Sequence, residues 1–388
     1  TIEMLNLAIA LTEGDRKRAE LYAELGTWRA DKLEDEKSAE DAFELALSLD
    51  PTCTTAQVGL GRIAFLRKEH EQAAGYLGAV LGRLDELPKS EAAEVCAFAA
   101  ESFRALGQLD KAVDAYKRAR DYAPEDLATN ERYAAIVRES GDAKAAERLY
   151  ERLYNRFDDE LDVSERLRVL RAWGETQLDA GLLTQAVNTF KDALARKSDD
   201  EGALKGLTRA HKESEQYEEV INLLQLRSRL THDPELRFNL LVETGDVFLE
   251  KIKDRDAATQ TYVMALDQQP HNRNLLSKLM AVYSDAHDWS RLIEVILRIA
   301  EMVDSPDQLA KYYNTAANIA QKELGRYDEA ANYYEAALSH LPPESGQAQL
   351  DGLVRCLTEN QDWERLSRAY ESRFERLSEQ PAAARQDA

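Results

Sequence analysis

Ten anchor residues recur along this chain of 388 residues at nearly constant spacing, each followed four positions later by a large apolar side chain. The anchors are Ala39, Ala73, Ala112, Ala146, Ala186, Val220, Ala258, Leu292, Ala330 and Leu366, separated by 34, 39, 34, 40, 34, 38, 34, 38 and 36 residues. Their partners are Phe43, Leu77, Tyr116, Tyr150, Phe190, Leu224, Tyr262, Ile296, Tyr334 and Tyr370. A third position, seven after the anchor, is Ala46, Ala119, Ala193, Ala265 or Ala337 in the odd-numbered units, and Pro51, Pro124, Pro270 and Pro342 close four of those five. Offsets of four and seven fall on one face of a helix. A small residue there lets a neighbouring helix come close, and the large one fills the remaining gap. Upstream of each anchor a second amphipathic stretch ends at a glycine or polar turn, as at Gly107, Gly141 and Gly181. Glycine just past a helix end can take the left-handed conformation that closes it. The pattern predicts helix, tight turn, helix throughout, with no length left for a separate catalytic domain.

Composition suits this reading. The chain is 44% hydrophobic and 31% charged, and its 9 prolines and 17 glycines in 388 residues argue against a long linker. A formal net charge of −22 repels nucleic-acid backbones and anionic membranes, so no nucleic-acid partner is expected. No apolar run approaches the roughly 18 residues of a membrane span, so no membrane insertion is expected. Cys53, Cys96 and Cys356 are odd in number and far apart, which disfavours a disulfide framework and favours a reducing compartment. The six histidines lack zinc-ligand spacing. The glycines of 59–61 and 75–82 are followed by no Lys-Ser/Thr pair and cradle no phosphate. Catalytic carboxylates need a desolvating pocket, and the acidic stretches 31–41 and 158–162 read as solvated turns. No catalytic residue, metal or cofactor is expected.

The unit resembles the tetratricopeptide repeat, whose period is about 34 residues. Leu60-Gly61 with Ala73, and Trp173-Gly174 with Ala186, Phe190 and Ala193, sit where that family's pattern places them. The resemblance implies an all-α fold, a right-handed α-solenoid superhelix of tandem helix-turn-helix repeats. It would form one continuous domain over 1–378, a half repeat plus about ten repeats, with a frayed tail at 379–388. Thr1 to Thr12 reads as a second helix without its first, because Met4 lies 35 residues before Ala39. That half repeat implies further repeats N-terminal to it in a longer protein, and offers a surface for end-to-end stacking. By resemblance the chain is a non-enzymatic scaffold or adaptor of bacterial type, located in the cytoplasm and binding another protein. Long arrays of this look serve motility, polarity or envelope assembly, and some recruit a small GTPase. The alternative is a structural spacer or self-assembly segment.

Spacing carries a second period. Anchors two units apart repeat at 73, 74, 72 and 72 residues. The additional residues are expected mostly in loops at 85–91 and 155–164, with one more between the two helices of the units anchored at Ala39, Ala258 and Ala330. The array reads as grown by duplication of a two-repeat block, the alternative being drift in loop length.

In the resembling family the first helices line a concave groove. Arg62, Arg104, Arg138, Arg168, Arg171, Lys205, Arg209 and Lys212 fall at those positions, which predicts a basic stripe able to grip an acidic or carboxylate-bearing segment. The same cations can instead pair with nearby Glu101, Glu131, Glu175 and Glu213 as ordinary surface charges. The family's Lys/Asn clamp for a C-terminal carboxylate does not carry over. Asn314 and Asn318, close to Lys311, form only a fragment of one.

Overall fold

A computed structural model describes residues 2–342 and 345–378, apart from the side chains of 376–378. The expected tail at 379–388 lies outside the described residues. Those described are helical and contain no strand. They divide into two compact units, one ending at Glu215 and the other beginning at Gln216.

The first unit holds α1 (Ile2–Leu11) and five helix pairs: α2 (Asp15–Leu33) with α3 (Glu36–Leu49), α4 (Thr54–Leu66) with α5 (His70–Val80), α6 (Lys89–Ala105) with α7 (Leu109–Tyr122), α8 (Leu127–Glu139) with α9 (Ala143–Phe157), and α10 (Val163–Asp179) with α11 (Leu183–Arg196). It ends with α12 (Glu201–Glu213). The second unit starts with α13 (Tyr217–Leu230) and holds α14 (Pro234–Val247) with α15 (Arg255–Leu266), α16 (Arg273–Asp285) with α17 (Trp289–Ala300), α18 (Pro306–Lys322) with α19 (Tyr327–Ser339), and α20 (Gln347–Glu359) with α21 (Trp363–Ser378).

Every anchor lies on the second helix of its sequence unit, and those from Ala39 to Ala330 are buried. Their large partners bury as well, down to 0% exposure for Phe190 and Tyr262. The last unit is looser: Leu366 is half-buried and Tyr370 is 51% exposed. Small residues on the first helices make room for the rings. Phe43 of α3 lies against Gly26 of α2 and Gly59 of α4, where an added Cβ would fall 2.6 and 2.4 Å from the ring.

The turns between first and second helices share one backbone device. A residue with positive φ stands five places before each anchor: Glu34, Lys68, Gly107, Gly141, Gly181, Glu215, Lys253, His287, Gly325 and Gln361. Beyond it, a backbone N–H returns to the end of the first helix. Glu69, Gln108 and Asp142 donate to the carbonyl five residues back, whereas Asp35, Asp254 and Arg326 donate to the one six back. Those last three belong to the units where one additional residue is expected. In the repeat anchored at Ala258 this residue is accommodated by a π-helical turn, Phe248–Ile252, at the end of α14.

The alternation in spacing has a different origin from the one expected. First helices of even-numbered units, α4, α8, α12, α16 and α20, have 13 residues each. Those of odd-numbered units are longer: 17 in α6, α10 and α18, 19 in α2, and 14 in α14, which the five-residue π-helical turn continues. About one helical turn, rather than a longer loop, makes up most of the difference. The stretch 85–91 contains a short 3₁₀ turn, Leu84–Glu86, and the start of α6.

Many of the acidic residues work as helix caps. Asp35, Asp142, Asp254 and Asp288 accept a backbone N–H at the start of second helices, and Asp126, Asp162, Asp200 and Asp233 do so for first helices. Each satisfies a donor the helix itself cannot. At Asp162 the cap is reciprocal: it accepts from Glu165 N–H at 2.8 Å while its own N–H donates to Glu165 Oε2 at 3.1 Å. The acidic stretches read as solvated turns thus hold the helix starts at Asp35 and Asp162.

Candidate functional site

Successive first helices of the N-terminal unit lie beside one another, and the predicted cations stand along that row. The row is bridged by arginine–carboxylate pairs. On α4, Arg62 reaches Glu94 and, at 3.8 Å, Glu91, both on α6. Arg104 of α6 donates from Nε to Glu139 of α8 at 2.7 Å and from Nη1 to Glu101 at 3.3 Å. Arg138 of α8 donates to Asp179 of α10 at 2.6 Å and lies 3.7 Å from Glu175. In the opposite direction, Arg168 of α10 grips Glu131 of α8 with two hydrogen bonds of 3.1 and 2.8 Å. Arg209 of α12 meets Glu213, Glu175 and Asp179 at 2.7, 3.1 and 3.2 Å.

Physical causes are local. An arginine stem spans the gap between neighbouring first helices, and the planar guanidinium can serve two carboxylates at once. Glu175 and Asp179, four apart on α10, face Arg138 from one side and Arg209 from the other. Hydrogen bonds donated to Glu139 and Glu131 raise the affinity of Arg104 and Arg168 for their protons. The arginines are about a third to a half exposed, so solvent screening leaves each pair worth about 1 kcal/mol or less.

Three other cations behave differently. Arg171 packs its stem over Gly202 and comes within 3.5 Å of Asp200, the buried cap of α12, which ties it to the α11–α12 connection. Lys205 is exposed, and its side chain has neither hydrogen bond nor ion pair among the described residues. Lys212 is engaged rather than free. Asn314 and Asn318 belong to the second unit, on α18, and the Asn318 amide donates to the Asn314 carbonyl at 2.8 Å. This bond within one helix uses one of the two N–H donors of the Asn318 amide.

The four carboxylates expected as alternative partners, Glu101, Glu131, Glu175 and Glu213, all serve arginines of the row. The sequence reading missed Glu94, Glu139, Asp179 and Asp200. They stand 32, 35, 41 and 29 residues from their arginines, too scattered for one spacing to mark them. The second unit repeats the device at Lys278 of α16, which donates to Asp246 of α14 at 2.5 and 2.7 Å while the Tyr262 hydroxyl donates to the same carboxylate at 2.6 Å.

Among the described residues, no group of three His, Cys, Asp or Glu could hold a metal ion, and no helix is long and apolar enough to cross a membrane.

A family model described as tetratricopeptide repeat matches residues 29–88 and 319–365. No curated protein matches the chain. Among solved structures, a tetratricopeptide repeat protein from Parabacteroides merdae is 15% identical, with a TM-score of 0.40 over 68% of this chain and 98% of that one. A MamA fragment from Desulfovibrio magneticus is 16% identical, with a TM-score of 0.39 over 47% of this chain and 97% of that one. Kinesin light chain TPR-like repeats of Podosopora anserina are 16% identical, with a TM-score of 0.37 over 49% and 99%. None of these says what this chain binds. The two matched segments are similar to tetratricopeptide repeats, and helix pairs pack one against the other inside both units.

Proposed function

We propose that the chain is a non-enzymatic scaffold that docks a partner protein on the row of first helices in its N-terminal unit. Repeats of this family mediate protein–protein interaction. Stacked helices hold contact residues in place, so binding loses little ordering entropy. The observation that carries the reading is the row of bridging arginines from Arg62 to Arg209, held by carboxylates while 30 to 52% of each side chain stays exposed. Screened pairs of this kind are cheap to exchange for contacts with a partner. Because carboxylates accompany the cations along the row, the fitting partner surface carries both signs, whereas an unpaired stripe would select an acidic segment. Three buried free cysteines suit a reducing compartment, and the proposal places the chain in the cytoplasm.

The test is capture from native cytosol by the chain and by its Arg168→Glu/Arg171→Glu/Arg209→Glu variant, matched for helicity and melting, followed by cross-linking. A protein lost from the variant and cross-linked to α8, α10 or α12 is expected. Identical capture by both would remove the row from the binding surface.

One observation favours a spacer that stacks end to end: Met4, Leu7 and Leu11 stand 69, 54 and 74% exposed on one face of α1. Concentration-dependent association abolished by Met4→Ser/Leu7→Ser would support that reading, and a monomer at all concentrations would dismiss it.

A further inference from the structure

A groove of about 340 Å³ lies on the first-helix row at its N-terminal end, lined by α2, α3, α4 and the start of α6. Its floor is apolar, formed by Ala30, Phe43, Val58 and Ile63. At its edge stands Leu66, 71% exposed. Four carboxylates border it, Asp31, Glu34, Glu36 and Glu91, against one guanidinium, that of Arg62. Glu91 and Glu94 already hold Arg62, and Glu36 is held by Arg67 at 2.6 Å. The side chains of Asp31 and Glu34 have no hydrogen bond or ion pair among the described residues, and both residues are exposed.

An apolar floor closed by unpaired negative charge selects its occupant by charge complementarity. We infer that this groove takes a basic amphipathic segment of a partner protein, whose apolar side chains cover Leu66 and the groove floor while its Lys or Arg side chains meet Asp31 and Glu34. The inference rests on the first-helix row being a protein-binding face, and it names the chemistry of one contact there. Apolar anchoring supplies hold, and the acidic rim supplies partner choice and rate of encounter. An acidic segment would meet repulsion from both unpaired carboxylates.

The experiment uses the whole chain and three short fluorescein-labelled peptides read by anisotropy. One is lysine-rich with a Leu-x-x-Phe pair, the second has both apolar residues replaced by serine, and the third has the lysines replaced by glutamate. The first should bind, and Asp31→Lys/Glu34→Lys should weaken it by about tenfold or more. Leu66→Ser should also weaken it, with the rim intact. A control of equal charge change in the other unit, Glu301→Lys/Asp304→Lys, should leave binding within about twofold, because neither residue lines the groove. Equal binding of the serine peptide, binding of the glutamate peptide, or equal loss in the control would overturn the inference. Circular dichroism and melting of each variant exclude unfolding as the cause. If the peptides fail while cytosolic capture still depends on Arg168, Arg171 and Arg209, the groove assignment falls and the scaffold reading stands. If capture is also indifferent to those arginines, both fall.

Discussion

The ring of Phe190 occupies the space that a side chain at Gly206 would need: a Cβ built there would lie 2.3 Å from the ring's Cζ. Gly174 faces the same ring from α10, with a built Cβ 2.7 Å away. Phe190 is fully buried and has nowhere to move. Gly206→Ala is therefore expected to cost about 1 to 3 kcal/mol through overpacking, despite the better helix propensity of alanine. Gly75, exposed on α5 with nothing within 4 Å of its built Cβ, provides the control. Gly75→Ala should stabilise by up to about 1 kcal/mol. Thermal melts that ranked the two substitutions the other way would refute the packing described.

Backbone conformation makes a second prediction. Gly141 has φ 97° and Lys68 has φ 63°, at the same place in their turns. Gly141→Ala should cost about 1 kcal/mol, since a Cβ is disfavoured in the left-handed region. Lys68→Gly should gain a few tenths to about 1 kcal/mol, the relief of that strain outweighing glycine's greater unfolded-state freedom. Urea midpoints with unchanged m-values check both.

Helix pairing, the ten second helices and the additional residue in three turns were legible, because offsets of four and seven mark a buried helical face and the anchors fix its register. Helix length was not. The polar stretch at Lys89-Ser90-Glu91 reads as a loop because its residues make no core contact, yet it forms the first turn of α6. Asp162 and Glu165 carried a readable capping signature that would have placed the start of α10. The row of cations was placed on the correct helices but its electrostatics were half seen. Glu139 and Asp179 lie 35 and 41 residues from their arginines, so their pairing depends on which turns of neighbouring helices come level. Spacing along one helix cannot supply that.

Burial sets the reactivity of the thiols. Desolvation pushes Cys96 up to about 12 and Cys356 up to about 11, and Cys53 rises for the same first cause. The thiolate is the reactive form, so very little of it is present near neutral pH. Ellman's reagent should label none of the three quickly in the folded chain and all three after unfolding in guanidinium. Rapid labelling of Cys96 in the native state would contradict its burial.

Acid should expose the contribution of one cap. Asp35 accepts the Ser38 N–H at 3.1 Å, and hydrogen bonding from Ser38, side chain first and then backbone, lowers its carboxyl below the ordinary value of 3.8. A carboxylate lowered in the folded state stabilises the fold above its unfolded pKa, and the contribution disappears as pH falls through the folded value. Asp35→Ala should thus melt below the parent at about pH 7, and the gap should close as the solution is taken below the usual aspartate range. The sign follows from proton uptake: on acidification the unfolded chain binds its proton first, so the parent loses what the variant never had. Melting curves of parent and variant across that range give the answer directly. A gap that stayed constant or widened on acidification would mean that the charge of Asp35 does not hold the start of α3.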